Sequence, residues 1–347
     1  SWEEAKRGIV NAGIPQLPLT TLNSVISVCA LSRELFPDMP ASPSSVATSV
    51  GVMNLVGCWV GAMPSCHGAG GLAADIAAMG SASVHMLPVV TAVLIRDTTD
   101  VQDHVALEEE TVTDQARMVL EDIPVASIKV GFLGSPENVS AVAQIANDYA
   151  DIPVVAYMPS ITWMDELALD AYLDAFTELM LPQTAVLVGN YSTLCRWLLP
   201  DWDHERPPSP RDVARAAQMH GVSYTLVTGV NAPGQFLENH LASPESILAT
   251  ARFERFDTTF VGAGETLSAA LTALLGAGED LQNACAEALT YLDQSLDAGF
   301  APGMGLAIPD RLFWGRGDED EVVGPAVSEA EIDGIDLGDF PLDDTKH

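Results

Sequence analysis

Between residues 89 and 296, apolar β-branched runs of strand length alternate with amphipathic stretches of helix length, and this alternation constrains the fold more than any other feature. Val89–Ile95 is a β-branched run and reads as a buried strand. Glu109–Glu121 reads as a helix and Ser127–Phe132 as a strand. Ser135 is placed to cap the next helix, with Pro136 at its first position and Glu137 at its positive end. Val139, Val142, Ala143 and Ala146 fall on one face of that helix. Pro153–Met158 reads as a strand, Ala168–Leu179 as a helix and Ala185–Gly189 as a strand. Ser209 and Pro210 open a helix that Gly221 ends, and a strand Ser223–Thr228 follows. Helices Thr266–Leu275 and Glu279–Leu296 close the series. Strands and helices alternating at this spacing predict an α/β fold, a mostly parallel sheet covered on both faces, with ligands beyond the strand carboxyl ends.

The flanks read differently. Residues 1–60 are rich in Ser, Thr and Pro, and prolines at 15, 18, 37, 40 and 43 cut any helix into short lengths. Ser44–Met63 is a 20-residue run without a charge, long enough to span a bilayer, although Asn54 and several Ser, Thr and Gly residues weaken that reading. Ser1–Arg7 is mixed in charge and is not the start of a signal peptide. Residues 316–347 hold eleven carboxylates against Arg316 and Lys346, and read as an acidic disordered tail. The expected organisation is therefore an N-terminal segment 1–60, a domain 61–315 and a tail 316–347.

A net charge of −33 argues against a nucleic-acid partner, since phosphate backbones attract Lys and Arg. A nucleotide substrate would gain nothing from long-range steering and would need local donors. The five cysteines are scattered without a CxxC pair, which points to neither zinc nor a disulfide framework and fits a reducing cytoplasm.

The sharpest local signal is Gly262-Ala263-Gly264-Glu265-Thr266-Leu267-Ser268-Ala269-Ala270. Two glycines around a small residue let the backbone turn tightly and approach a ligand, and the free N–H groups of the following helix make an anion site. Glu265 is placed to take a proton from a hydroxyl that attacks a phosphoryl group. The same spacing also fits a tight loop before a core helix with an exposed Glu265.

This segment resembles the GxGD-type signature of ribokinase-like sugar and pyrimidine kinases. Four further stretches resemble the hydroxymethylpyrimidine/phosphomethylpyrimidine kinases, in family order. They are Gly68-Ala69-Gly70-Gly71-Leu72-Ala73-Ala74-Asp75, Thr91 through Gln102, Leu120–Pro124 with Lys129–Ser135, and Leu226-Val227-Thr228-Gly229. The resemblance implies a ribokinase-like three-layer sandwich for about residues 61–315 and an ATP- and Mg²⁺-dependent kinase of thiamin biosynthesis. It also implies roles. Gly262 and Gly264 would form the anion hole, with Glu265 as base. Gly68, Gly70, Asp75, Arg96 and Phe132 would line the pyrimidine pocket, and Thr228, Gly229 and Asn190 would lie near ATP. Related kinases often pair as homodimers.

Several positions depart from that pattern. Glu265 stands where the family has Asp or Cys, one methylene longer than Asp. Arg96 stands where a Gln would pair with the pyrimidine; having only donors, it suits an anionic or acceptor-rich ligand, or an ion pair with Asp97 or Asp100. Tyr157 and Thr193 stand where the pattern has metal-side acids, which weakens protein support for magnesium. A catalytically impaired binding protein on the same fold is the alternative these changes allow.

Residues 1–72 resemble something else. Ile14–Val25, Met53–Trp59 and Gly61–Leu72 are similar to molybdate transporters of the sulfate-permease-like class, in which such a segment belongs to a broken helix facing the oxyanion. About 72 residues of that pattern are present, too few to enclose a transport path, so a membrane-associated fusion is the further alternative. The two resemblances meet at Gly68–Ala73. Asn54–Val60 could replace the first kinase strand, and His67 could touch a phosphate or be only a turn residue.

Overall fold

A computed structural model describes residues 70–302 and 305–315. The expectations for residues 1–69, including Gly68, His67 and the Asn54–Val60 strand, and for the acidic tail lie outside the described residues.

A six-stranded sheet forms the centre, in the order β3-β4-β5-β6-β7-β8. Strands β3 (Ile128–Val130), β4 (Val154–Met158), β5 (Val186–Asn190) and β6 (Tyr224–Ala232) run parallel. Strands β7 (Phe236–Ala242) and β8 (Ile247–Glu254) extend it antiparallel. The sheet is thus mixed and mostly parallel along its first four strands, as the alternation predicts. β7 and β8 were not legible: Phe-Leu-Glu-Asn-His-Leu-Ala and Ile-Leu-Ala-Thr-Ala-Arg-Phe-Glu carry few β-branched residues, and most of their positions are partly exposed.

Helices cover both faces. On one side, Val154, Ala156 and Met158 of β4 and Leu187 of β5 pack under helix α3 (Pro136–Asp148), α5 (Tyr191–Leu198) and α6 (Pro210–Gln218). On the other, Val155, Val186, Val188 and Leu226 meet α7 (Ala263–Gly276) and α8 (Leu281–Asp297). Successive strand residues go to opposite cores, which is why these strands read as continuous apolar runs. Each large side chain taken fully from water contributes about 1.5–3 kcal/mol.

The helix starts are written in the sequence. Ser135 caps α3 by accepting from Asn138 N at 3.2 Å, with Pro136 at the first position. Ser209 and Asp212 form a reciprocal capping box at α6. There the Arg206 guanidinium and Ser209 hold the Asp212 carboxyl well below the usual carboxylate range. Helix α4 (Glu166–Ala175) stops earlier than the pattern suggests and continues as a π turn, Phe176–Met180, before the short turn Leu181–Gln183. Phe176 and Met180 are both fully buried, and the wider turn serves that packing.

Val89–Ile95 is the clear correction. Strand β1 (Ala92–Arg96) pairs only with β2 (Val101–Ala106), in a two-stranded antiparallel ribbon outside the main sheet. With no second layer, Val93 and Ile95 are 45% and 48% exposed. The base of the ribbon is fastened by fully buried Asn138, whose amide lies 3.0–3.1 Å from the carbonyls of Thr91, Leu107 and Leu133. Helix α2 (Glu109–Asp122) follows β2, and α1 (Gly70–Ser81) packs Ala78 and Met79 on Ala269 and Ala273 of α7.

Candidate active site

Each of the four parallel strands carries a polar side chain within an otherwise largely apolar run. Lys129 comes from β3, Tyr157 from β4, Asn190 from β5 and Thr228 from β6. Register places Tyr157 beside Val188, Met158 beside Gly189, and Asn190 beside Thr228.

Lys129 reaches Asp75 of α1. Its Nζ lies 2.6 and 2.7 Å from the two carboxylate oxygens, with the side chains 5% and 10% exposed. Burial raises the Asp75 pKa above its ordinary value, while Lys129 pulls it back down and Glu265 pushes it up again. Asp75, expected in the pyrimidine pocket, is therefore committed to a buried ion pair. Lys129 also stands 5.9 Å from the centre of the Tyr157 ring.

The glycine turn is built as a close-approach device. Gly262 caps α7 at φ 87°, the left-handed region where a side chain is strained. A Cβ on Gly262 would meet the Arg311 guanidinium at 2.6 Å, and one on Gly264 would meet the Tyr157 hydroxyl at 2.2 Å. Only glycine fits at either position. Thr266 Oγ1 donates back to the Gly262 carbonyl at 2.7 Å and Ser268 Oγ to the Gly264 carbonyl at 2.8 Å. Glu265 sits in the first turn of α7, and its Cγ lies 4.0 Å from where a Cβ on Gly71 of α1 would be. Gly70, expected in the substrate turn, is the first residue of that same helix.

Arg311 completes the cluster from beyond α8. Its Nε donates to Thr266 Oγ1 at 2.8 Å and its Nη2 to the Gly262 carbonyl at 3.3 Å. Its own carbonyl accepts from Ser81 and Tyr291, which fixes the backbone. Burial lowers the Arg311 pKa, against the pull of nearby Glu265, Tyr291 and Asp75. Burial likewise holds the Tyr157 hydroxyl well above the ordinary tyrosine value, helped by Glu265 and Asp75. That phenol stays protonated and able to donate.

The residues expected near the nucleotide also converge. Gly229 has φ 71°, and a Cβ there would strike the Asn190 amide at 2.6 Å. Its N–H donates to Asn239 at 3.0 Å, and Thr228 Oγ1 donates to the Gly189 carbonyl at 3.3 Å. Asn190 caps α5 by accepting from the backbone N–H and the hydroxyl of Ser192.

Phe132 and Arg96 make contacts of their own with other groups. The Phe132 ring packs with His104, Trp163 and Tyr172 at centroid distances of 5.2–5.5 Å. Arg96 lies at a bulge of the ribbon, and its Nε donates to the Asp97 carbonyl at 3.3 Å. The Asp97 carboxylate instead accepts from the N–H groups of Thr99 and Asp100. Sequence reasoning missed Lys129 and Arg311 as members of the site. The signal for Lys129 was a lone cation in an otherwise apolar strand.

The donors present do not build a protein-held magnesium site. Asp75 is taken by Lys129, Asn190 by its cap, and Tyr157 is a protonated donor. Among the described residues no group of three metal-ligating side chains occurs.

A mostly parallel sheet sandwiched by helices, with a glycine turn and an acid opening a helix at the strand ends, is the scaffold of a ribokinase-like phosphotransferase. The family described as Phosphomethylpyrimidine kinase matches residues 65–309, and the one described as Molybdate transporter of MFS superfamily matches residues 8–98. The hydroxymethylpyrimidine/phosphomethylpyrimidine kinase of Streptomyces coelicolor is 28% identical over 253 residues, 72% of this chain and 92% of that protein. The crystallised pyridoxal kinase of Bacillus subtilis, an ADP complex, superposes with a TM-score of 0.63 at 20% identity, over 72% of this chain and 95% of that one. Molybdate transporter 2 of Arabidopsis thaliana is 63% identical over 73 residues, 21% of this chain; the chain spans only 16% of that relative's length. The chain belongs to the phosphomethylpyrimidine kinase family.

Proposed function

We propose that this protein is an ATP-dependent kinase acting on hydroxymethylpyrimidine or its monophosphate in thiamin biosynthesis. The observation that carries the reading is Glu265, held in the first turn of α7 directly after the Gly262–Gly264 turn and next to the Asp75–Lys129 pair. The substrate hydroxyl oxygen forms a bond to the γ-phosphorus, the bond to the β–γ bridging oxygen breaks, and ADP leaves. Glu265 takes the hydroxyl proton, and the amides of the glycine turn meet the charge that develops on the phosphoryl oxygens. Gly68, Gly70, Asp75, Arg96 and Phe132 are assigned to the pyrimidine side, and Thr228, Gly229 and Asn190 to ATP. Magnesium, when bound, would neutralise phosphate charge; no cluster of metal-ligating side chains among the described residues would hold it.

The test is ADP release with ATP and magnesium, with and without hydroxymethylpyrimidine, against Glu265→Ala. Substrate-dependent release that falls roughly 10²–10⁴-fold in the variant supports the reading. No release from a folded sample that still binds nucleotide moves the function to a ligand-binding protein on this scaffold, the reading favoured by Tyr157 at an acid position. Glu265→Asp separates the two: a large gain marks an impaired kinase, no change a binder.

The reading places residues 61–315 in the cytoplasm as the kinase domain, with 1–60 as a fused transporter-like segment. No helix among the described residues is long and apolar enough to cross a membrane. Carbonate extraction of membranes carrying the full chain tests attachment through residues 44–63.

A further inference from the structure

The glycine turn is flanked by two side chains whose donor capacity is not filled among the described residues. A guanidinium has five N–H donors. Arg311 directs one to Thr266 and one to Gly262, and the other three have no acceptor among the described residues. The Tyr157 hydroxyl likewise donates to none of them, although it lies against Gly264. One donor therefore stands at each glycine of the turn, and each is close enough that a methyl group between donor and turn is impossible.

This placement makes little sense as architecture alone. Arg311 brings a positive charge to the positive end of a 14-residue helix, where like charge is unfavourable. Asp75, the nearby carboxylate that could offset it, is already paired with Lys129. Glu265 acts on Arg311 from a distance but makes no ion pair with it among the described residues. A partly buried guanidinium with unfilled donors, a protonated phenol and a helix N-terminus converging on one turn are together suited to an anion with several acceptor oxygens.

We propose that Arg311 and Tyr157 hold the transferable phosphate of the nucleotide in this chain. Tyr157 supplies a donor where the family pattern has a metal-side acid, and Arg311 adds charge beside it, so that γ-phosphate binding depends on the protein more than on a divalent ion. The proposal rests on the kinase reading and deepens it. Arg311 gives charge and planar two-point contact, while Tyr157 gives one neutral hydrogen bond. A tyrosine is the fitting companion: a carboxylate at position 157 would repel the phosphate unless a metal lay between them.

The experiment is equilibrium binding of ADP and of a non-hydrolysable ATP analogue to the full chain, each with magnesium and with the metal chelated. Arg311→Met is expected to weaken the analogue roughly 10- to 100-fold, the range of a lost charge-assisted hydrogen bond, while ADP changes by about twofold or less. Tyr157→Phe, which removes one oxygen and keeps the packing, is expected to weaken the analogue by roughly 3- to 10-fold with ADP unaffected. Chelation should weaken the analogue in the unmutated protein by about tenfold or less, and by much more in Tyr157→Asp, where a carboxylate again needs the metal.

Equal losses for ADP and the analogue in both variants would mean that the two residues only shape the turn, and would overturn the proposal. So would loss of analogue binding on chelation alone. If Arg311→Met does not fold, Tyr157→Phe and Arg311→Lys decide the same question. A folded, unmutated chain that binds neither nucleotide removes the kinase reading itself, an outcome distinct from a lost preference for the analogue over ADP.

Discussion

Replacing Lys129 by methionine isolates the electrostatic work done at the end of β3. The Lys129–Asp75 pair is 2.6 Å long and nearly closed to water. At that separation, with an effective dielectric constant of about 20, the gross attraction is about 6 kcal/mol. Desolvation of the two ions offsets most of it, so the pair as a whole adds little net stability. Removing one partner is different, because Asp75 is then buried without compensation, a loss of about 3–5 kcal/mol. For a domain of this size that lowers Tm by on the order of 10 °C. The variant also acquires a pH dependence of definite sign. Burial already raises the Asp75 pKa, and deleting Lys129 removes the group that holds it down. A carboxyl with a raised folded-state pKa binds more protons folded than unfolded, so stability falls as pH rises through the interval from its unfolded value upward. Lys129→Met should therefore be weakest at neutral pH and recover on acidification. Urea unfolding at pH 7.5 and 5.0 measures this, with Asp75→Asn/Lys129→Met as the control that should recover most of the loss and flatten the pH response. A Lys129→Met loss below about 1 kcal/mol, or one equal at both pH values, would refute the uncompensated-charge reasoning.

Other outcomes follow from single contacts. Gly264→Ala places a Cβ 2.2 Å from the Tyr157 hydroxyl and should destabilise by about 1–3 kcal/mol, with the double variant Gly264→Ala/Tyr157→Ala recovering part of that in thermal melts. Asn138→Ala removes the side-chain donor from the Leu107 and Leu133 carbonyls, while the Thr91 carbonyl keeps the Leu107 N–H, and should lower urea-derived stability by about 1–3 kcal/mol, with faster amide exchange in β1 and β2. Burial pushes the Cys285 thiol up to about 12, so at pH 8 it should resist iodoacetamide until the chain unfolds, when mass spectrometry should find it alkylated.

The legible parts of this chain are those where one residue decides locally. Ser135-Pro136 and Ser209-Pro210 announce helix starts because a side chain satisfies its own first turn, and the structure has both. The parallel strands were visible because both faces are buried and the whole run must be apolar. The ribbon deceived the reading for the same reason: Val89–Ile95 has the composition of a buried strand, and nothing local says that β2 is its only partner. Glycine spacing pointed to Gly262 and Gly264. Arg311 was illegible because it joins the turn from 49 residues downstream, through a guanidinium that meets the Gly262 carbonyl. No periodicity carries such information; it exists only once α8 has folded back over the sheet.

Helix α1 shows how two sequence patterns can share one element. Residues 65–98 fall within both family matches, and α1 lies wholly in the overlap. Its Gly70, Gly71, Ala73, Ala74, Ala77, Ala78 and Gly80 suit any setting in which helices approach closely, whether a transporter bundle or the contact of Ala78 with Ala269 and Ala273 here. Small residues alone cannot tell these settings apart. A charge can. Asp75 is 7% exposed on this helix, and an ionised carboxylate is kept in such a place only by a partner. That partner is Lys129, from a strand that the transporter-like match does not reach. The identity of α1 as part of the phosphotransferase scaffold is therefore fixed by a residue more than fifty positions away. In this fold Gly71 faces Glu265 because the Asp75–Lys129 pair holds α1 against the end of β3.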